Sequence, residues 1–207
     1  MRFRYHVRRG QAEVIATTIL IAGAIVIGLA MWSLYTQTIA SQKQGVDIYR
    51  VLAEEDTYTG ITRFIGPQIV DEGSTVIVYQ ISRYSLEPLA LYIAAIARTD
   101  NGFSIPSCRV YRASQSSLIE LDGSEWIELK KIHEATENVI LWKPNKEHPL
   151  SIAVGKTSIP IYVATLRGGP TLIKIELKTT AKVVTILFGT RIGNKIYMFH
   201  SETLFLG

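Results

Sequence analysis

The feature that most constrains this chain is an uncharged apolar run near its N-terminus. From Val14 to Ala40 the sequence contains no Asp, Glu, Lys, Arg or His, and every residue from Ile19 to Trp32 is apolar or glycine. The run is 27 residues long, which corresponds to about 40 Å of α-helix at roughly 1.5 Å per residue. Because a bilayer's hydrocarbon layer needs only about 20 residues, the run predicts a membrane-inserted helix.

Basic residues are concentrated immediately before this run. Arg2, Arg4, Arg8 and Arg9 fall within the first nine residues, and without these four the 22 Lys and Arg become 18, equal to the 18 Asp and Glu. The remainder is therefore formally neutral, which argues against a nucleic-acid-binding face and a nucleic-acid partner. Basic residues beside an apolar segment stay cytoplasmic, so the order predicts a cytoplasmic N-terminus with the remaining domain outside.

Three processing outcomes are compatible with such a segment. The chain can keep it as an uncleaved single-pass anchor for a domain that binds another molecule. A signal peptidase can instead cut after Ala30, where small residues occur, and release a secreted domain; the sequence nevertheless remains apolar through Met31 and Trp32. In the third outcome the cut falls between Gly10 and Gln11, and the apolar helix survives in the mature protein.

The residues at this junction favour the third outcome. Arg8-Arg9-Gly10-Gln11-Ala12-Glu13, followed by the apolar run, resembles the class III signal peptide of type IV pilins and their archaeal relatives, including archaellins. The resemblance covers roughly the first 35 residues. It implies that a prepilin peptidase recognises Arg8, Arg9 and Gly10 and cuts after Gly10 on the cytoplasmic face, so that Gln11 becomes the first mature residue.

The same resemblance implies a structural role and a set of partners. The freed helix leaves the cell membrane and packs with helices of other copies into the core of a surface filament that serves adhesion or motility. Further partners implied are an assembly ATPase and a polytopic platform membrane protein. The location implied is the cell membrane for the precursor and an extracellular filament for the assembled subunit.

Two features of the helix bear on this assembly. Bacterial pilins place a Glu fifth in the mature chain, where it is thought to neutralise a neighbour's terminal amine, whereas Glu13 would be third. The departure favours an archaeal source. It leaves open whether Glu13 pairs with another subunit or is simply an acid in a first helical turn, where the helix dipole favours it. Ala24 and Gly28 form a small-xxx-small pair that lets helices approach closely.

The pattern beyond the run predicts an α+β chain, with a long N-terminal hydrophobic helix followed by an antiparallel β-sandwich-like domain. The predicted boundaries are a basic leader at 1–10, the helix at 11–56 and a β-rich domain at 57–207. Tyr49 and Leu52 continue the helical spacing, which predicts that this part of the helix packs on the β domain.

Alternation and composition predict the strands of that domain. Ile173, Ile175 and Leu177 alternate with charged residues, which is typical of a half-buried strand, and β-branched runs suit more buried strands. Asn101-Gly102 and Gly193-Asn194 predict hairpin turns. The segments predicted as strands are 76–79, 119–122, 127–130, 161–164, 173–178 and 183–188. Residues 90–97 fit a strand or a short helix, and a strand is favoured. The apolar C-terminal end at 203–207 predicts a last strand docked on the sheet or against a neighbouring subunit.

Motifs for catalysis and metal binding are incomplete. Gly155-Lys156-Thr157-Ser158 resembles the end of a phosphate-binding loop, but position 150, where that loop needs a Gly, is Leu150. His133-Glu134 lacks the second His four residues after the first that a zinc-protease helix requires. We therefore predict that the chain is not an enzyme and has no catalytic residue, no metal site and no cofactor.

The single cysteine and the aromatic residues are predicted to be structural. Cys108 excludes an intramolecular disulfide and is predicted to be a small buried residue. Trp126 and Trp142 are predicted to fill the core or a subunit contact rather than a ligand-binding face.

Overall fold

The structure is a computed structural model that describes residues 4–71, 74–100, 102–114, 126–143 and 146–206. Within these ranges the side chains of residues 4–13, 41–46, 71, 143 and 146 lie outside the description. The fold is α+β, with a long N-terminal helix followed by a mostly antiparallel β domain, which confirms the predicted fold class. The chain divides into two compact units, Met1–Ile48 and Tyr49–Gly207.

Helix α1 spans Arg4–Tyr58 and contains 55 residues. The first proline of the chain is Pro67, so no residue in this stretch removes a backbone donor from the helical hydrogen-bond pattern. The helix ends close to the predicted limit at Asp56, but it begins before Gln11. Leader residues from Arg4 onward therefore share one continuous helix with the apolar run.

The β domain contains two sheets, and the first, sheet I, is antiparallel throughout its described pairings. Its edge strand β1 continues directly from helix α1. In spatial order sheet I consists of β1 (Thr59–Asp71), β2 (Ser74–Arg83), β11 (Gly169–Lys178), β5 (Ser107–Ala113) and β6 (Trp126–Glu128).

The second sheet, sheet II, is larger and contains one parallel pairing among its described strands, between β8 and β13. The last strand lies inside the sheet, which confirms the predicted docking of the apolar C-terminal end. In spatial order sheet II consists of β7 (Lys130–Ala135), β10 (Ser158–Leu166), β3 (Leu89–Thr99), β12 (Val183–Ile192), β13 (Lys195–Phe205), β8 (Val139–Lys143) and β9 (Lys146–Pro149), with β4 (Gly102–Ser104) paired to β3.

Two apolar layers are built on sheet II, because successive side chains of a strand point to opposite faces. On one face Phe188 packs edge-on against Tyr79 of sheet I, with ring centroids 5.2 Å apart. On the other face lies a separate buried cluster that includes Leu187 and residues of the short helix α2, Leu150–Val154. Burial on both faces explains why β3 and β12 have nearly continuous apolar sequences rather than alternating ones.

Most predicted strands are confirmed, and one is corrected. The segments 76–79, 90–97, 161–164, 173–178 and 183–188 lie within strands, whereas 119–122 lies outside the described residues. The alternation over 127–130 was wrongly predicted as one strand. The chain leaves sheet I after Glu128 and enters sheet II at Lys130, and between them the Leu129 backbone N–H donates to the Val110 carbonyl at 2.8 Å.

Gly189 permits the close pairing of β12 with β13. A β-bulge separates Phe188 from Gly189 in this pairing, and a Cβ at position 189 would lie 2.9 Å from the Met198 Cα and closer still to the Tyr197 carbonyl oxygen. Both obstacles are backbone atoms of a central strand, so they cannot move aside without displacing the sheet.

We therefore expect Gly189→Ala to lower the free energy of unfolding by about 3 kcal/mol, through overpacking. Gly66→Ala is the matched control, because no atom lies within 4 Å of its Cβ position. Thermal unfolding of the full chain in detergent micelles measures both changes, and equal melting temperatures for the two variants would contradict this account of Gly189.

Candidate functional site

The central part of α1 is the strongest candidate for a functional surface. Among the described residues, Val14–Ala40 is the one helical segment long and apolar enough to cross a membrane. Its large apolar side chains are exposed, from 44% at Ile39 to 74% at Leu20. A helix of this length and composition near the N-terminus is what a membrane anchor or a signal sequence has.

Threonine hydroxyls within this segment bond back to the helix itself. The Thr18 hydroxyl donates to the Val14 carbonyl at 2.8 Å, and the Thr38 hydroxyl donates to the Leu34 carbonyl at 2.8 Å. Such i−4 bonds give the hydroxyl an acceptor within the helix. The segment therefore offers a largely apolar surface in all directions, which suits lipid or other apolar helices.

The predicted processing and pairing residues all lie on α1. Gly28 and Ala24 are exposed, and no atom lies within 4 Å of the position that a Cβ on Gly28 would take. This leaves room for a second helix to approach, and close helix packing here stays a prediction. The side chains of the remaining predicted residues lie outside the description, although their backbone is helical: Arg8, Arg9, Gly10, Gln11 and Glu13.

The last turns of α1 are bound into the β domain by a buried ion pair, which we call the junction ion pair. Arg83 at the end of β2 has a side chain only 3% exposed, and its Nη1 donates to Glu55 Oε2 at 2.5 Å while its Nη2 lies 3.4 Å from Glu55 Oε1. The same guanidinium donates to the Thr59 hydroxyl at 3.1 Å and to the Glu87 carbonyl at 3.3 Å. Leu52 is fully buried one turn earlier, which agrees with the predicted packing of this part of α1.

The sequence did not single out this pair. Glu55 lies in the acidic triplet Glu54-Glu55-Asp56. It differs from its two neighbours only in lying on the same side of the helix as Leu52. Arg83 lies at a strand end far away in the sequence. A bidentate guanidinium–carboxylate contact fixes both position and orientation, so the pair defines how the helix end meets sheet I within this unit.

The outer face of sheet I carries a second unexpected feature, at Lys174. Alternation placed Lys174 on the side away from sheet II, and the structure agrees, yet this residue is only 7% exposed. Its ammonium lies 3.0 Å from Glu176 Oε1, 4.6 Å from the centre of the Tyr111 ring and 5.2 Å from that of Trp126. Aromatic rings from β5 and β6 thus cover a charge that the alternation predicted to be solvated, and they stabilise it by cation–π attraction.

Two titratable groups between β5 and β10 are held in their neutral forms. The Tyr162 hydroxyl donates to the Cys108 carbonyl, and burial raises the pKa of Tyr162 to about 12. Burial also raises the pKa of the Cys108 thiol to about 12. By exposed area Cys108 is half-buried rather than fully buried as predicted, and it lies near the first residue of β5.

Metal ligands are dispersed in the part of the chain that the structure describes. No group of three or more His, Cys, Asp or Glu residues there lies close enough to hold an ion. The phosphate-loop-like segment begins at Gly155, which ends helix α2 in a left-handed conformation with φ of 61°.

No protein-family model matches the chain, and no curated protein sequence does so. One similar solved structure is described as "AvmM Catalyzes Macrocyclization in Alchivemycin A Biosynthesis". It is 8% identical, with a TM-score of 0.34, over 72% of this chain and 89% of its own. A TM-score of this size supports no statement about the fold or activity of this chain.

The junction ion pair yields a stability prediction. Glu55→Gln leaves the buried Arg83 without a counter-charge and should lower the free energy of unfolding by about 3 kcal/mol. Glu54→Gln is the matched control, because Glu54 pairs with Arg50 at 3.7 Å on an exposed helix face and should cost less than about 0.5 kcal/mol. Thermal unfolding of the full chain in detergent micelles distinguishes them, and equal losses would contradict a structural role for the pair.

Cys108 yields a pH-dependent prediction. A thiol whose pKa rises from 9.0 to about 12 stays protonated at pH 8, and the thiolate is the reactive form. Alkylation by iodoacetamide at pH 8 should therefore be about a thousandfold slower in the folded chain than in urea. Mass spectrometry of timed samples measures both rates, and comparable rates would show that the thiol is freely ionised in the fold.

Proposed function

We propose that this chain is a structural subunit of an archaeal type IV pilus-like surface filament, cut after Gly10 and polymerised through α1. The observation that carries the proposal is a helix with exposed apolar side chains over 14–40, directly preceded by Arg8-Arg9-Gly10. Contiguous exposed apolar surface marks a site for a membrane or for partner proteins. Here such surface extends along the whole segment.

Lipid tails cover this apolar surface before assembly, and the helices of neighbouring copies cover it afterwards. Burial of apolar area contributes roughly 25 cal/mol per Å², so the segment is stabilised by any apolar surroundings that replace water. The Thr18 hydroxyl already donates to the Val14 carbonyl within the helix, so it needs no other acceptor in either place. The same helix is therefore suited both to a bilayer and to a bundle of its own copies.

Removal of the leader follows from the same physics. Arg8 and Arg9 adjoin the apolar segment, and in a packed bundle they would be buried charges without partners, which is strongly unfavourable. Cleavage at Gly10 leaves a mature helix with no basic side chain before Lys43. A prepilin peptidase is the partner proposed for this step, with an assembly ATPase and a platform membrane protein for the steps that follow.

The β domain supports the proposal by having a core of its own. Tyr79 and Phe188 between the sheets, and the separate cluster around Leu187, are buried by residues of the unit Tyr49–Gly207. The domain's folding therefore does not depend on covering the apolar segment of α1. In the proposed filament it forms the outer wall and the surface that contacts other cells or substrates.

The test is the N-terminal peptide of the native protein, taken separately from sheared surface material and from membranes and identified by mass spectrometry. The wild-type chain should begin at Gln11 in sheared material. Gly10→Leu, which places a bulky side chain at the cut, should leave a chain that begins at Met1 and remains in membranes. Gly23→Leu is the control, because it makes the same change within the apolar segment and leaves the cut intact.

Two other N-termini would each indicate a different function for the chain. A wild-type chain that begins at Met1 and occurs only in membranes is a single-pass anchored protein whose β domain binds another molecule. A chain that begins at Met31 is a secreted β-domain protein cut after Ala30. Either result would contradict a filament subunit.

A further inference from the structure

A cavity of about 240 Å³ lies at one end of sheet I, where β2, β5 and β11 run side by side. This volume is below the roughly 300–1,000 Å³ of sites for drug-sized ligands, and it suits a single small ring. The residues around it combine three chemistries: apolar side chains, including Val70 and Val76; hydrogen-bonding groups, the hydroxyls of Ser74 and Ser107 and the carboxylate of Glu176; and the cations of Arg109 and Lys178.

The two cations lie diagonally from each other on the neighbouring strands β5 and β11. In the register of β5 and β11, Arg109 lies opposite Glu176, and Ser107 lies opposite Lys178. Both Arg109 and Lys178 are exposed, so their N–H donors are accessible from solvent. The adjacent Tyr111 raises the pKa of Arg109, which is therefore charged at every physiological pH.

Glu176 is held in place at this cavity by the buried lysine. The Lys174 ammonium, 3.0 Å away, is itself fixed by the Tyr111 and Trp126 rings. A carboxylate supported in this way presents its remaining acceptor positions in one orientation, without the loss of side-chain freedom that binding otherwise requires. The buried Lys174 therefore has a role, which is to orient the Glu176 carboxylate at the cavity.

The combination of groups restricts the ligand. An inorganic anion would use Arg109 and Lys178 but has no apolar face to set against Val70 and Val76. An apolar ligand would leave both cations without a partner. A sugar acid satisfies all three chemistries, because its ring has an apolar C–H face, its hydroxyls both donate and accept, and its carboxylate matches a guanidinium in charge and geometry.

We propose that this cavity binds a uronic acid residue of an acidic polysaccharide. The carboxylate of the sugar lies between Arg109 and Lys178. Its ring hydroxyls donate to Glu176 and bond to Ser107, while its C–H face packs on the exposed side chain of Val70. The inference stands apart from filament assembly, because the groups involved lie in the unit Tyr49–Gly207 and do not include the apolar segment of α1.

The test uses the full chain in zwitterionic micelles, since detergents with sugar headgroups would compete. Saturation-transfer NMR titrations with D-glucuronate, D-glucose and inorganic phosphate give the three affinities. We expect glucuronate to bind with a Kd of about 1 mM and the other two at least about tenfold more weakly. Arg109→Gln and Lys178→Gln should each weaken glucuronate binding about tenfold, and Arg167→Gln, at the opposite end of β11, should not change it.

Three results would overturn the proposal. Phosphate binding as tight as glucuronate binding would indicate an anion site without sugar recognition. Unchanged glucuronate affinity in Arg109→Gln and Lys178→Gln, with unaltered melting temperatures, would place any binding elsewhere. Absence of glucuronate binding would exclude uronic acids as ligands of this cavity. None of these alters the N-terminal peptide, so failure here is distinguishable from failure of the proposed filament function.

Discussion

The apolar surface of α1 is the constraint on which the rest of the molecule depends. Over 14–40 the helix presents apolar side chains in every direction, and the hydrophobic effect disfavours their contact with water. Only a bilayer or other apolar helices satisfy such a surface. The β domain that follows has a core formed by residues of the unit Tyr49–Gly207.

The β domain forms its own core by packing its two sheets and a further apolar cluster in layers. Sheet II is covered on one face by sheet I, where Phe188 meets Tyr79, and on the other by the cluster around Leu187. The outer face of sheet I, away from sheet II, carries Lys174 and Glu176 together with the rings of Tyr111 and Trp126. The groups proposed to bind the sugar lie at one end of this sheet.

The sequence predicted those parts of the fold that depend on local pattern. The apolar run of α1, the strand at 173–178 and the C-terminal strand follow from composition and period, and each is present. The covering of Lys174 was not predictable, because Tyr111 and Trp126 reach it through strand neighbours that are distant in sequence. The junction ion pair and the crossing at Leu129 were missed for the same reason, since register and sheet membership are properties of the assembled core. The cleavage at Gly10 stays a prediction, because it concerns recognition by another protein.

The junction ion pair also determines how the molecule carries tension. A pull along α1 reaches the β domain at Leu52 and Glu55 before it reaches Thr59, where edge strand β1 begins. The load therefore falls on a buried side chain and on two guanidinium–carboxylate contacts that must fail together. Strand β1 is therefore protected from losing its hydrogen bonds to β2 one after another. A chain built in this way should yield abruptly at a threshold force rather than stretch gradually.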